Sequence, residues 1–249
     1  MRVAALYDIH GMVEPLRAVL QELEGEEIDA MVIGGDAISG PQPAETHALL
    51  QSIRTPMHWI RGNGERALGP DGADAVIGEA EEPLKFTASH FSEDERAALA
   101  VLPERVTLDV DGLGETLFCH ASPRNDLDIV TEGTPDERFH VLLEGVTQRT
   151  VVAGHTHMQL DRPVEGVRWI NPGSVGMPYE GEVAAFWAVL GPEVEMRRTP
   201  FDVERSIEAL LASGWPDAKS FVDENLRAAV SRAEVVTLFE QIARERGER

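Results

Sequence analysis

The sequence predicts an α/β fold in which two β-sheets pack together and are flanked by helices. Three observations predict it. Strand-like and helix-like runs alternate across residues 2–60, the mark of parallel strands joined by crossover helices. Two strand-like runs flank Asp111-Gly112, a hairpin turn signal. Short strand patterns then recur between 159 and 199. The first half should therefore be mostly parallel and the second richer in antiparallel hairpins.

The elements follow in order. Arg2–Tyr7 is an apolar, β-rich run ending at Asp8. Pro15–Glu24 carries Leu16, Val19, Leu20 and Leu23 at helical spacing. Asp29–Ile33 is a second strand, closed by Gly34-Gly35-Asp36. A helix over Ala44–Ile53 starts after Pro41 and Pro43. Met57–Ile60 is a third strand, closed by Gly62-Asn63-Gly64. Gly69–Ala80 is rich in Gly and Asp and reads as a loop; Pro83–Leu102 reads as one or two helices. Arg105–Val110 and Glu115–Cys119 form the hairpin. A helix near Pro135–Glu144 leads into Thr150–Ala153. Strands are expected at 159–163, 167–170, 183–189 and 193–199. Residues 1–200 are expected to form one domain. The helical tail 201–249 should pack on it, with Ile207, Leu210 and Leu211 on one apolar face and Val235, Leu238, Phe239 and Ile242 on another. The composition of the tail suits either covering the core or pairing with a second copy.

Five short motifs carry chemistry: Asp8-Ile9-His10, Gly35-Asp36, Gly62-Asn63, His120 and Gly154-His155-Thr156-His157. Four of the five directly follow a predicted strand. Ligands in open α/β sheets bind beyond the carboxyl ends of strands, so these side chains can converge. Asp8/His10 and His155/His157 have the spacing that puts both members on one side of an extended segment. Imidazole and carboxylate together suit Mn, Fe, Zn or Ni better than Ca. Two cations need a shared ligand, and the Asp36 carboxylate is the candidate bridge. The Asn63 amide oxygen adds a ligand without adding charge, which helps when an anionic phosphate must also bind.

This set, in this order, resembles the calcineurin-like metallophosphoesterase superfamily, closest to its small bacterial and archaeal phosphodiesterase branch. Gly40-Pro41, His120-Ala121-Ser122-Pro123 and Asn171-Pro172-Gly173-Ser174 add to the likeness, which runs to about residue 200. The resemblance implies a four-layer α/β/β/α sandwich. It implies that Asp8, His10, Asp36 and His157 hold one divalent ion, and Asp36, Asn63, His120 and His155 the other. Manganese is favoured over Fe, Ni, Zn or Mg, and Asp36, Asn63 and His120 are the catalytic set. The implied reaction is phosphodiester hydrolysis by in-line attack of a metal-bridging hydroxide. A phosphomonoesterase or a dinucleoside polyphosphate hydrolase is the alternative within the same chemistry. A non-catalytic scaffold or regulatory protein is the alternative outside it.

Two positions depart from the family pattern. Many members carry a His after Gly-Asn that protonates the leaving group, and here Gly64 stands in its place. General acid catalysis is typically worth about 10²–10⁴-fold. Glu65 and His90 are the other proton sources at hand, and both read as surface residues. Met12 replaces an Asn and is expected to alter the pocket wall, which the loops 64–92 and 121–140 should form. Arg61, Arg66 and Arg124 lie beside the motifs and could either contact phosphate or simply face solvent.

Composition bounds the rest. A single cysteine, Cys119, excludes an internal disulfide and a thiolate zinc cluster; in the run TLFCH it reads as a small buried residue. Gly34-Gly35 lacks the Lys-Ser/Thr of a P-loop, and no serine lies in a Gly-x-Ser-x-Gly elbow. With 44 acidic against 22 basic residues the formal charge is −22, which opposes non-specific binding of nucleic acids. A small phosphorylated substrate remains compatible, because bound cations reverse the local field. The sequence offers neither a membrane span nor a secretory signal, so a cytoplasmic location is expected.

Overall fold

The computed structural model describes residues 1–70 and 81–248. The loop expected over Gly69–Ala80 falls mostly on residues 71–80, outside the described residues. The chain opens with β1 (Val3–Leu6), α1 (Val13–Leu23), β2 (Ala30–Ile33), α2 (Pro43–Gln51), β3 (Met57–Trp59) and α3 (Asn63–Ala67). There follow α4 (Glu81–Ser89), α5 (Glu93–Ala100), the hairpin β4 (Arg105–Val110) and β5 (Gly114–Cys119), and α6 (Asp136–Leu142). Next come β6 (Thr150–Val152), β7 (Gln159–Val164), β8 (Val167–Pro172), β9 (Ala185–Leu190) and β10 (Val194–Thr199). The tail holds α7 (Val203–Ala212), α8 (Ala218–Phe221), a π-helical turn at Val222–Leu226 and α9 (Arg232–Glu245).

Two mixed five-stranded sheets result. One has the order β10-β9-β1-β2-β3 and the other β4-β5-β6-β8-β7. In the first, β1, β2 and β3 run parallel, while β9 pairs antiparallel with β1. In the second, β5, β6 and β8 run parallel and β4 and β7 are antiparallel edges. The last two strands thus return to the sheet that the first three began.

The layers follow from the two-residue period of a strand. On β1 and just beyond, Val3, Ala5 and Tyr7 point between the sheets, where they meet Phe118, Val152 and Ile170 of the second sheet. Ala4 and Leu6 point the other way, onto Leu16, Val19 and Leu23 of α1. On the far side, Leu117, Val151 and Trp169 pack against Phe139 and Leu142 of α6. Strands covered on both faces read as continuous apolar runs, as β1 and β2 do.

Apolar packing, hydrogen bonds and ion pairs fasten the tail. Met12, fully buried, packs with Ile207, Leu210, Phe221, Val222 and Leu226. Glu240 of α9 accepts from the hydroxyls of Thr131 and Thr134, at 2.6 and 3.0 Å. Arg138 pairs with Glu248. Met12 does not itself face a pocket but lies beneath the tail, packed in one cluster with Phe221 and Met177, and so bears on the pocket wall from behind. An apolar side chain at position 12 is the floor on which the tail sits, which an Asn could not provide without burying an amide. Among the described residues no helix is long and apolar enough to cross a membrane.

Candidate metal centre

The parallel strands place the motif residues at one edge. Asp8 and His10 follow β1, Asp36 follows β2, and Asn63 opens α3 just beyond β3. His120 follows β5, and His155 and His157 follow β6. Two triads form there: Asp8, His10 and His157, and Asp36, His120 and His155. Within each, the potential ligand atoms lie within 4.8 Å of one another. The Asn63 amide oxygen joins the second triad, 3.1 Å from His120 Nε2. Asp36 Oδ2 lies 3.6 Å from the same nitrogen, so Asp36 faces the histidines. The triads adjoin, since the His155 amide donates to Asp8 Oδ2 at 2.9 Å. All seven side chains named from the sequence come together.

Hydrogen bonds fix which ring nitrogen faces the centre. A carbonyl only accepts, so Nδ1 must donate where it meets one. His10 donates to Ser39, His157 to Met177 and His120 to Gly34, at 3.2, 2.8 and 2.9 Å. In their neutral forms each ring therefore presents an Nε2 lone pair inward. His10 and His157 bring these nitrogens to 3.1 Å of each other. Two acceptors at that distance repel unless a cation lies between their lone pairs. Asp8 Oδ1, buried beside them and 3.4 Å from His157 Nε2, accepts no hydrogen bond among the described residues. The donor set fits divalent ions of the Mn, Fe, Zn or Ni type.

The charges respond to burial. His10 is held down at about 3, first by burial and then by His157, so it stays neutral. His155 also lies well below its usual value, chiefly through burial. Burial would lower His120 too, but Asp36 and Asp8 outweigh it and raise the ring. Burial raises the Asp36 carboxyl. For Asp8, burial pulls upward but the surrounding histidines win and hold its carboxyl well below the usual range.

The backbone here is unusual. Among the described residues, six non-glycine residues have positive φ, and five are in the triads. They are Asp8, His10, Asp36, His155 and His157, at φ of 52°, 49°, 50°, 69° and 59°. Such conformations cost on the order of 1–3 kcal/mol each and persist only where the surroundings over-determine them. The surroundings include Ser174, whose hydroxyl donates to the Asp8 carbonyl at 2.7 Å, and Asn171, whose amide donates to the Gly154 carbonyl at 3.1 Å. Gly62 is needed for close approach, because a Cβ there would stand 2.2 Å from Asp36 Oδ1.

Glu65 corrects the sequence reading. It is fully buried, not a surface residue. Its carboxylate accepts from the amides of Asp36, Ala37 and Gly62, at 2.8, 2.8 and 2.9 Å. It thereby pins the Asp36 turn to the start of α3. Burial, then the Asp36 charge, raises its acid to about 7 against the pull of those three donors. The readable signal was its spacing: a Glu three residues past Gly62 occupies the N3 position from which a side chain reaches back to the helix start. Gly64 has no room for a side chain, since a Cβ there would meet Ser39 Oγ at 2.4 Å. His90 is exposed and bonds its own helix at Phe86. Cys119 is buried, which pushes its thiol up.

Two cavities open beside the triads. One, of about 560 Å³, is bordered by His10, Tyr179 and the tail residues Trp215, Phe221 and Phe239. Pro83 and Thr87 reach it from the loop region expected to line the substrate, but the tail supplies the larger share. The other, of about 340 Å³, lies beside His120 and contains Arg61, Arg66 and Arg124 with residues 122–127. Arg61 bonds Glu104, and Arg66 holds Asp126 through two bonds of 2.6 and 2.8 Å.

Similar proteins agree with this architecture. The profile of the calcineurin-like phosphoesterase superfamily domain matches residues 1–190. An uncharacterized protein of Methanocaldococcus jannaschii is 23% identical over 234 residues, 86% of this chain and 94% of that protein. A hypothetical protein from Pyrococcus horikoshii superposes with a TM-score of 0.75 at 22% identity, covering 89% of this chain and 97% of that one. A metallophosphoesterase from Sphaerobacter thermophilus gives 0.70 at 23% identity, covering 92% and 99%. At such identities the likeness is one of fold. With the profile spanning most of its length, the chain belongs to the calcineurin-like phosphoesterase superfamily.

Proposed function

We propose that this protein is a binuclear metal-dependent phosphodiesterase acting on a small phosphorylated substrate. The observation that carries the reading is the pair of adjoining triads, with three imidazoles turned inward by carbonyls and a buried carboxylate oxygen that accepts no hydrogen bond among the described residues. Asp8, His10 and His157 would hold one ion, Asn63, His120 and His155 the other, and Asp36 both. Manganese is the ion we favour. Bound ions of this kind lower the pKa of water toward neutrality and neutralise charge gathering on phosphoryl oxygens.

The chain's own residues supply rigidity and orientation. The carbonyls of Ser39, Met177 and Gly34 keep three rings in one tautomer, so no reorganisation is needed when ligand arrives. Asn63 contributes a neutral oxygen beside His120, limiting negative charge where an anionic diester must come close. Gly64 offers no acid to the departing oxygen, so substrates with good leaving groups, such as aryl diesters, should turn over best. Asp36→Ala and Asn63→Ala are expected to lower hydrolysis of bis(p-nitrophenyl) phosphate at least about 10³-fold. Wild-type turnover that survives complete chelation refutes the reading.

A further inference from the structure

Each triad opens onto its own cavity, and the two cavities differ in chemistry. His10 borders the larger one, whose walls are mainly apolar and aromatic. Tyr179 stacks on the His157 ring, centroids 4.9 Å apart and planes inclined at 23°, so the aromatic lining begins at a triad residue. It continues edge-on to Phe239 of the tail, 6.0 Å away, and across the mouth to Trp215 and Phe221. The volume is that of a typical small-molecule site.

His120 borders the second cavity, which gathers Arg61, Arg66, Arg105 and Arg124 against the acids Glu104 and Asp126. Glu104 is taken by Arg61 and Asp126 by Arg66. Arg105 and Arg124 make no ion pair among the described residues. An excess of positive charge therefore lies in a concave site of a chain whose formal charge is −22. A cavity of one sign concentrates the field and draws in the opposite charge. Arg246 of the tail reaches the same rim, donating to the Leu127 carbonyl at 3.1 Å.

Resting on the phosphodiesterase reading, we infer that the substrate is a two-armed phosphodiester. One arm is flat and apolar and lies between Tyr179 and the tail beside His10. The other carries its own anionic group, held by Arg105 and Arg124 beside His120. The tail is then a wall of the specificity site as well as a cover for the core.

Phosphonates test this without any cleavage. Titration calorimetry on the manganese-loaded, full-length protein would compare methylphosphonate, phenylphosphonate, phosphonoacetate and 2-aminoethylphosphonate. Phenylphosphonate should bind about tenfold tighter than methylphosphonate, from burial of the ring. Phosphonoacetate should also bind about tenfold tighter, from a charge-assisted hydrogen bond, and 2-aminoethylphosphonate weaker. Leu238→Asp, on the half-exposed lip of the apolar cavity, should cut the phenyl preference below about threefold. Arg124→Glu should cancel the phosphonoacetate preference and leave the phenyl preference in place. Equal affinity for all four compounds, or tighter binding of the aminoethyl compound, overturns the inference. Failure of the phosphodiesterase reading would instead show as absent diester turnover while this order of affinities stands.

Discussion

Removing the Glu65 carboxylate should loosen the Asp36 turn, and the structure sets the size of the effect. Three buried amides donate to this side chain, those of Asp36, Ala37 and Gly62. Glu65 Oε2 takes two and Oε1 takes one. Ala at 65 leaves all three without an acceptor, and an unsatisfied buried donor costs about 1–3 kcal/mol, so the loss is about 3–9 kcal/mol. Gln can keep its oxygen on the Asp36 and Gly62 amides, but its NH₂ must then face the Ala37 amide. It forfeits one contact, or about 1–3 kcal/mol. The total matters because domains of this kind are stable by only about 5–15 kcal/mol. Urea unfolding of metal-free protein at pH 6, followed by tryptophan fluorescence, gives both numbers. Calorimetric manganese titration should show weaker binding in the same order, because the amide of Asp36 is one of the three. The pH dependence has a definite sign. Burial holds the Glu65 acid at about 7 rather than near 4.5, so wild type gives up stability as pH rises through that interval. Gln does not titrate, and the gap between it and wild type should narrow by up to about 3 kcal/mol from pH 4.5 to 7. Ala and Gln variants equal in stability, or an Ala variant within about 1 kcal/mol of wild type, would refute the account of Glu65 as a three-way clamp.

Two further expectations come from burial. Met12→Ala removes the apolar floor of the tail and should cost about 2–4 kcal/mol, with faster proteolysis between 202 and 248 as the diagnostic; an unchanged digestion pattern contradicts the docking role. His10 is neutral in the fold down to about 3, whereas in the unfolded chain it takes up a proton near 6.5. Metal-free protein should therefore lose about 2 kcal/mol of stability through His10 between pH 6.5 and 5. His10→Asn should show a correspondingly shallower decline in urea midpoint.

The layers were readable because strands buried on both faces leave little but apolar side chains. The helical spacing Leu16, Val19, Leu20 and Leu23 pointed to a flanking helix in the same way. The seven polar residues that meet stood out because carboxylates, imidazoles and an amide sit beside glycines at strand ends. What escaped was non-local or conformational. Nothing near β9 announces that it returns to pair with β1, since that pairing is decided by the whole sandwich. Met12 reads as one more apolar residue until the tail is known to fold back over it. The N3 spacing of Glu65 announces a bond back to Gly62, but only the crossing of the Asp36 turn against α3 adds the Asp36 and Ala37 amides and makes it a three-way acceptor. Left-handed backbone at histidine carries no signature in composition.

That left-handed backbone limits which replacements the site will accept. A side chain that coordinates from position 8, 10, 36, 155 or 157 must tolerate φ of 49–69°. Asn, Asp and Gly enter this region most readily, and branching at Cβ is excluded by clash with the backbone. A mutant library aimed at changing which ions the proposed centre takes should therefore be restricted to Asp, Asn, His and Gly at these places. Free choice of ligand belongs at Asn63 and His120, where the chain runs in ordinary geometry.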